Sequence, residues 1–336
     1  MTQLSTINFL EAQRVAQQVL ARAGAPAGCA ADQCEMLLEA ELRGRASHGL
    51  QRLPRVVERI HNGVIAPAER GEHHWRGEAL LHVDGQRGMG PAVACGALDA
   101  ISERAKRTGV AAAAIHNNNH IGMLALYAER VAAQGQVLIA VTTSEALMHP
   151  WGGRRAMIGT NPVAIGVPAT PHPFVLDMAT SLVSMGQIHD HANRGVPLQP
   201  GWALNADGEP TLDAGAARDG AIAPFGGAKG YALGLAFEVL VASLTASALG
   251  RDVRGTLDSD QVCNKGDFFV VLEPASNRAA AEVAAYLEAL RAEAPRDPRH
   301  PVMVPGDRAQ AERARRLEQG IDLPAPLWSR LCALAA

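Results

Sequence analysis

A histidine and an arginine four residues apart, His48 and Arg52, lie in the densest polar segment of this chain, residues 43–52. Ser47 precedes the histidine and a glycine follows it. Histidine exchanges protons near neutral pH, because its ordinary pKa is about 6.5. The planar guanidinium of arginine can hold a carboxylate through two hydrogen bonds. The pair therefore suits reduction of a ketone beside a carboxylate, and the spacing leaves open a capped helix start with a solvated arginine.

Further polar clusters follow apolar runs. Residues 117–122 (NNNHIG) come after a strand pattern and lead into a helix pattern. Their backbone amides, at the start of that helix, could receive an anion. Alternatively, the segment is an asparagine-rich turn. Lys229 begins a long apolar segment, where it either meets a phosphate or only solvates a helix start. The other clusters are two glycine-rich turns and the end of a strand, at residues 149–153, 159–162 and 177–181.

Several site classes lack their sequence signatures. The Rossmann GxGxxG spacing is missing, and residues 85–90 come nearest with the wrong spacing. His116 and His120 have zinc-ligand spacing, but the asparagines between them disfavour a helix and no metalloprotease glutamate accompanies them, so no metal is expected. The five cysteines are scattered and never spaced as CxxC, which predicts neither a disulfide framework nor a thiolate metal site.

Composition and charge limit the kinds of binding partner that this protein can have. The 336 residues carry a net charge of −3 without a basic face, and aromatic residues are only 4%, so we expect no nucleic-acid partner. Residues 1–17 do not resemble a signal peptide, and with scattered cysteines this predicts a cytoplasmic protein. Residues 230–250 are long and apolar enough for a membrane span, but Glu238 at mid-segment favours a buried core helix and no membrane contact.

Hydrophobic periodicity predicts an alternation of helices and strands. Two long loops, residues 145–162 and 189–226, hold many Gly, Pro, His and Asn residues and are expected to be functional or to pack against a partner. The expected helices are 9–23, 32–42, 92–106, 123–133, the apolar segment and 279–292, and the expected strands are 79–83, 110–115, 137–142, 163–167, 174–176 and 268–272.

Seven motifs, in this order, resemble the malate/L-lactate dehydrogenase family that lacks a Rossmann domain. They are RGRASHGLQRLP, NNNHIG, PWGG, IGTNPVAIGVP, VLDMATS, GGAKGYALG and VPGD. The resemblance implies a family-specific α/β fold with a mainly antiparallel sheet, a helical layer and an intertwined homodimer. It also implies that residues 1–75 carry the SHG motif and pack with 300–336, that residues 76–299 bind NAD(P) and substrate, and that both form one cooperative unit.

The resemblance also assigns site residues. His48 is the expected proton donor, Ser47 its orienting partner and Arg52 the carboxylate ligand, while His120 competes for the catalytic role. Thr160 is expected to contact substrate. Ala46 departs from the family, where an acidic residue often precedes SHG. The expected NAD or NADP contacts are His120, Ile121, Gly122, Met123, Leu124, Ser144, Asp177, Met178, Ala179, Lys229, Pro305, Gly306 and Asp307.

The motifs TTSEALMHPWGG and FVLDMATSLVSMGQI are most similar to the sulfolactate and malate branch. Such substrates carry a second anion, for which Arg45 and Arg154 are the expected cationic contacts. We therefore expect an oxidoreductase that moves a hydride between NAD(P)H and C2 of a small 2-oxo or 2-hydroxy acid. The alternatives are a cyclic imino acid reductase, a ureidoglycolate dehydrogenase and, more remotely, a non-catalytic ligand-binding protein.

Overall fold

The computed structural model describes residues 3–276 and 278–336, which form thirteen strands and ten α-helices. The strands are β1 Leu4–Ile7, β2 Glu72–Arg76, β3 Leu80–Asp84, β4 Val110–His116, β5 Val137–Thr142, β6 Ala146–Met148, β7 Ile158–Gly159, β8 Val163–Val167, β9 Phe174–Met178, β10 Ala203–Leu204, β11 Ala221–Ile222, β12 Asp267–Leu272 and β13 Ile321–Pro324. The helices are α1 Phe9–Arg22, α2 Ala27–Leu42, α3 Leu53–His61, α4 Gly90–Thr108, α5 Leu124–Ala133, α6 Met185–Arg194, α7 Ala228–Thr245, α8 Ala279–Arg291, α9 Asp307–Gln319 and α10 Ala325–Ala335.

A seven-stranded sheet in the order β2-β3-β4-β12-β5-β8-β9 forms the centre of the protein. Only β3 and β4 run parallel, and every other neighbouring pair is antiparallel, which confirms the mainly antiparallel sheet. Helices α4 and α5 contact the sheet and bury their apolar sides in its main core, which includes Leu81, Tyr127 and Phe269. Because two of the three inward positions of β4, Ala111 and Ala113, are alanines, α4 can lie close to the strands.

The helices near the two chain ends form a second core beside the sheet. Strand β1 pairs with β13, α1 packs against α2 and α10, and α2 contacts α4 and α9. Helix α1 begins with Asn8, whose side chain accepts a hydrogen bond from the Leu10 amide at 2.9 Å. Its buried stripe is Ala12, Val15, Ala16, Val19 and Leu20. This core holds the end of α2, and therefore the SHG segment, against the start of α4.

Helix α7 is the apolar segment whose length and hydropathy would suffice for a membrane span, by composition alone. It packs one side on β4, β5 and β12, and the buried carboxylate of Glu238 accepts hydrogen bonds from the Gly159 amide and the Asn161 side chain. Its other side exposes large apolar residues, with Val239 at 53% and Leu235 at 40%. The expectation of a buried core helix therefore holds for one side of α7 only, because only that side meets the sheet.

The two segments predicted as long loops contain structure of their own. Strands β6 and β7 lie within 145–162, and residues 189–226 begin inside α6 and include β10 and β11, which together form a four-stranded sheet in the order β10-β11-β6-β7. Strands of two or three residues are too short to show a period-2 pattern. Helix α6 carried a readable signal, a capping box between Ser184 and Gln187, which the periodicity did not reveal.

Candidate active site

The SHG segment folds as two short 3-10 turns, Ala46–His48 and Leu50–Arg52, between α2 and α3. No continuous α-helical turn joins His48 to Arg52, yet both side chains line the same pocket. The Ser47 hydroxyl lies 3.0 Å from His48 Nδ1, and Arg52 Nε donates to the Ser47 carbonyl oxygen at 2.7 Å. Ser47 thus links both side chains and limits their rotation.

A buried carboxylate, Glu41, supports this segment through a hydrogen bond to its backbone. Its Oε1 accepts a hydrogen bond from the Leu50 amide at 2.7 Å, and its Oε2 is buried without a partner in the described part of the chain. A Cβ atom on Gly49 would lie 2.1 Å from Oε1, so the glycine of the SHG motif is required by this close approach. Burial raises the pKa of Glu41 to about 7, opposed by the Leu50 hydrogen bond and by Arg316.

We predict that Glu41→Gln removes a pH-dependent loss of stability. The native pKa of about 7 lies above the unfolded value, so the native state holds an extra proton between these values. The wild-type free energy of unfolding should therefore fall as pH rises from about 4.5 to about 7, by on the order of 3 kcal/mol. Urea unfolding at pH 5 and pH 8 measures this difference. The variant keeps the acceptor for Leu50, and an equal pH dependence in both proteins would contradict the assignment.

His120 faces His48 across the pocket, with ring centroids 5.4 Å apart. The Gly122 amide donates to His120 Nδ1 at 3.0 Å. Because an amide can only donate, Nδ1 is an acceptor and the neutral ring carries its proton on Nε2. The backbone of His120 lies against the first turn of α4, where a Cβ on Gly90 would meet the His120 carbonyl oxygen at 2.1 Å.

The asparagines before His120 are structural supports. Asn118 is buried and donates to Asp267 at 3.2 Å, and that carboxylate also pairs with the buried Lys265. The Asn119 side chain donates to two carbonyl oxygens of the 87–88 turn and accepts from Arg59 at 3.0 Å. The backbone amides of Asn119 and Gly122 also donate within the segment, to Asn118 Oδ1 and to His120 Nδ1. These contacts favour the asparagine-rich turn over an anion site built from the backbone amides.

The pocket combines neutral imidazoles with positive charge. Burial, then Arg52 and Arg45, lowers the pKa of His48 to about 3, and burial with the same arginine lowers the pKa of His120 well below its usual value. Burial and the neighbouring Arg55 lower the pKa of Arg52 to about 10, so it remains a cation at neutral pH. No carboxylate occurs among the described residues lining the pocket. The site is therefore suited to an anion.

A second groove of about 440 Å³ lies beside this pocket. Three segments predicted to hold the cofactor line it: Met123 before α5, Asp177 near the end of β9, and residues 305–307, which lead into α9. Asp177 accepts a hydrogen bond from the Ala125 amide at 2.9 Å, so its carboxylate caps α5 within the chain. Arg45 and Arg308 also line the groove, and neither forms an ion pair with the described residues.

Comparison with known proteins agrees with this geometry. The chain matches the malate/L-lactate dehydrogenase family over residues 7–332. The chain belongs to this family. A dehydrogenase from Sinorhizobium meliloti superposes with a TM-score of 0.96 at 50% identity and covers 100% of this chain and 99% of its own. The (2R)-3-sulfolactate dehydrogenase (NADP(+)) of Chromohalobacter salexigens is 32% identical over 98% of this chain and 98% of its own length.

A third relative has another printed activity. The Delta(1)-pyrroline-2-carboxylate/Delta(1)-piperideine-2-carboxylate reductase of Pseudomonas aeruginosa is 38% identical over 59% of this chain and 60% of its own length. Family membership and the dehydrogenase relatives make this protein an enzyme, a 2-hydroxy acid dehydrogenase that acts on a small molecule and uses a nicotinamide cofactor. The second groove fits such a cofactor, since its volume is in the range of ligand pockets and its unpaired arginines can meet phosphates.

Not every residue assigned by family resemblance lies at the two cavities. Arg154, expected at the second anion, instead pairs with Glu209 on the surface. Ile121 and Leu124 direct their side chains into the core, so only their backbones could contact a cofactor. The remaining expected contacts outside the two cavity linings are Ser144, Thr160, Met178, Ala179 and Lys229.

Two of these residues contact each other. The hydroxyls of Ser144 and Thr160 are 3.3 Å apart, and Ser144 Oγ accepts from the Thr160 amide at 2.9 Å. The Thr160 carbonyl oxygen also accepts hydrogen bonds from the amide and the hydroxyl of Thr180. These bonds join the segment after β9 to the turn at residues 159–161. Lys229 lies exposed in the first turn of α7, as its position in the sequence predicted.

Sequence reasoning missed four residues at or beside the catalytic pocket. Arg55 follows Arg52 by three residues, and that spacing, which places side chains on one helical side, could have revealed it. Glu41 and Arg59 gave no comparable signal, because their partners lie nine and about 200 residues away. Thr256 lines the pocket from a loop that the motifs do not include.

Proposed function

We propose that the enzyme reduces a dianionic 2-oxo acid of the sulfopyruvate or oxaloacetate type to the 2-hydroxy acid, and catalyses the reverse oxidation. The observation that carries the proposal is the placement of His48 and Arg52 in one pocket whose described lining residues include no carboxylate. Bound NAD(P)H supplies the hydride for C2. The sulfolactate dehydrogenase relative supports the same substrate class.

The residues have distinct roles in this proposal. Arg52 is held through Nε by the Ser47 carbonyl oxygen, which leaves its terminal nitrogens without a partner among the described residues. They bind the carboxylate beside the ketone and so fix which face of C2 is presented. As C2 is reduced, negative charge develops on its oxygen and a proton is required. His48 provides this proton, and Ser47 orients its ring through Nδ1.

His120 has a different role because its tautomer is fixed. Protonating Nδ1 would place two N–H donors against each other at the Gly122 amide, which disfavours the imidazolium form. His120 is therefore assigned as a neutral hydrogen-bond donor from Nε2 to the ketone oxygen. Burial first, and then the charge on Arg52, keep His48 neutral without substrate. A bound anion offsets the contribution of Arg52 and so raises the pKa of His48.

NAD or NADP would occupy the second groove. Met123, Asp177 and the 305–307 turn would line it, together with Arg45, which directly precedes the 3-10 turn that carries His48. Two unpaired arginines at the groove and the NADP(+)-dependent relative favour NADP.

The rival activity is reduction of a cyclic imino acid, which the Pseudomonas aeruginosa relative supports. A protonated imine is already electrophilic, so it needs no proton on the acceptor atom. Cofactor oxidation at 340 nm, with each cofactor in turn, should be faster with sulfopyruvate or oxaloacetate than with piperideine-2-carboxylate. Efficient turnover of the imino acid alone would overturn the proposal. Cofactor binding without oxidation across the whole panel would instead favour a non-catalytic ligand-binding protein.

We also propose that the protein is a homodimer through the exposed side of α7. Contiguous exposed apolar side chains on a protein commonly mark an interface. The loop that supplies Gly255 and Thr256 to the pocket exposes apolar residues too, so the same partner copy would cover it. The exposed apolar residues of helix and loop are Leu233, Leu235, Val239, Leu240, Leu249, Leu257 and Val262.

Val239→Glu is therefore expected to break the dimer. A charge at this position, 53% exposed in the single chain, would be buried at the interface without a partner. Sedimentation should show the 35.3 kDa monomer for the variant and twice that mass for the wild type. Tyr286→Glu, at an exposed aromatic residue of α8, is the matched control and should stay dimeric. A monomeric wild-type protein at micromolar concentration would contradict the proposal.

A further inference from the structure

The catalytic pocket contains a second arginine, Arg55, in addition to the one assigned to the carboxylate. It is half-buried on the first turn of α3, three residues after Arg52. It forms neither a hydrogen bond nor an ion pair with any residue in the described ranges 3–276 and 278–336. Arg52 and His120 line the same pocket, and after burial the charge of Arg55 is a further cause of the lowered pKa of each.

The neighbouring Arg59 shows what a structural arginine looks like in the same helix. Its guanidinium is buried and donates to the Asp258 and Gln261 carbonyl oxygens and to Asn119, at 2.8–3.0 Å. Arg55 has no such partners, although partial burial of an unpaired cation costs free energy. Arg55 has no counter-ion, lies beside a second cation, and shares a pocket in which no described lining residue is a carboxylate. Binding of an anion would therefore stabilise it.

We infer that Arg55 binds the second acidic group, a sulfonate or carboxylate on C3, of a dianionic 2-oxo acid and so determines substrate class. This inference rests on the proposed function, in which Arg52 already holds the carboxylate beside the ketone. It replaces the two arginines expected from sequence. Arg154 is paired with Glu209 outside the pocket, and Arg45 lines the cofactor groove.

The pocket explains why a second anion would be selected. Two guanidinium groups repel each other while both lack a counter-ion, and a monoanionic substrate neutralises only one of them. A dianion of suitable length meets both, whereas pyruvate leaves Arg55 desolvated and unpaired. Discrimination by unpaired polar groups of this kind is stronger than discrimination by an apolar contact.

The test compares Arg55→Gln, Arg55→Lys and the wild type with sulfopyruvate, oxaloacetate and pyruvate. Loss of one charge-assisted contact should raise KM for the dianions about 10- to 100-fold in Arg55→Gln, with kcat changed far less. KM for pyruvate should stay the same or fall, and Arg55→Lys should recover part of the loss. Arg154→Gln is the matched control, because it removes an arginine that lies outside the pocket.

The outcomes separate this inference from the proposed function. An unchanged KM for dianions in Arg55→Gln overturns the role of Arg55 and leaves the proposed function standing. A wild type that prefers pyruvate overturns both the role of Arg55 and the dianionic substrate class, and leaves only the 2-oxo acid activity standing. A wild type that reduces none of the three oxo acids overturns the proposed function itself. A general fall in kcat with all substrates would identify Arg55 as a structural residue and would also overturn the inference.

Discussion

His48→Ala should lower turnover with the best 2-oxo acid by about 10²- to 10⁴-fold, the usual contribution of a positioned acid. The change removes the group proposed to carry the proton and leaves Arg52, Ser47 and the cofactor groove in place. KM should change little, because His48 acts on the developing charge and not on the bound ground state. Steady-state kinetics in both directions measure the effect, since the same imidazole would accept the proton during oxidation of the alcohol.

Two variants make this result interpretable. His300→Ala removes an exposed histidine near the surface turn at Asp297 and should leave turnover unchanged. His120→Ala should also lower turnover. The decrease should be smaller than in His48→Ala, because His120 only donates a hydrogen bond to the ketone oxygen. Unchanged turnover in His48→Ala, together with a large loss in His120→Ala, would transfer the proton-carrying role to His120.

Replacing Arg52 should produce the second large effect. Arg52→Ala is expected to lower kcat/KM by about 10²- to 10³-fold, because a buried carboxylate would lose its charged partner. Most of the loss should appear in KM, since the carboxylate is held in the ground state as well as the transition state. The measurement is the full dependence of rate on substrate concentration with sulfopyruvate or oxaloacetate.

Arg52→Lys separates charge from geometry. Lysine keeps the cation but cannot make two parallel hydrogen bonds, nor can it donate through an Nε to the Ser47 carbonyl oxygen. We expect KM to remain raised at least tenfold, with thermal stability close to that of the wild type. A KM equal to that of the wild type would place Arg52 outside the substrate site.

The sequence predicted the long, strongly apolar elements well. Strands β4, β5, β8 and β12 and helix α4 were predicted within about two residues of their observed bounds, because each is a clear apolar run ended by polar, glycine or proline residues. The strand order could not be predicted from local patterns. Strand β12 inserts between β4 and β5 although more than 120 residues separate them from it, and no short-range signal specifies this pairing.

The site was predicted in part for a similar reason. His48 and Arg52 are close in sequence, so their spacing could indicate a shared pocket even though the local conformation is not an α-helix. The supports of the site depend on distant contacts, such as Arg59 with Asp258. Arg154 was misassigned because its charge suited a second anion. Only the fold shows that Arg154 forms an ion pair with Glu209 outside the pocket.

The most direct test of this account is a crystal structure with NAD(P)H and oxamate, an unreactive analogue of a 2-oxo acid. We expect the oxamate carboxylate on Arg52, its carbonyl oxygen within hydrogen-bond distance of His48 and His120, and the nicotinamide ring against its C2 equivalent. His48 or Arg52 directed away from the nicotinamide, or no dinucleotide bound at saturating concentration, would contradict the account.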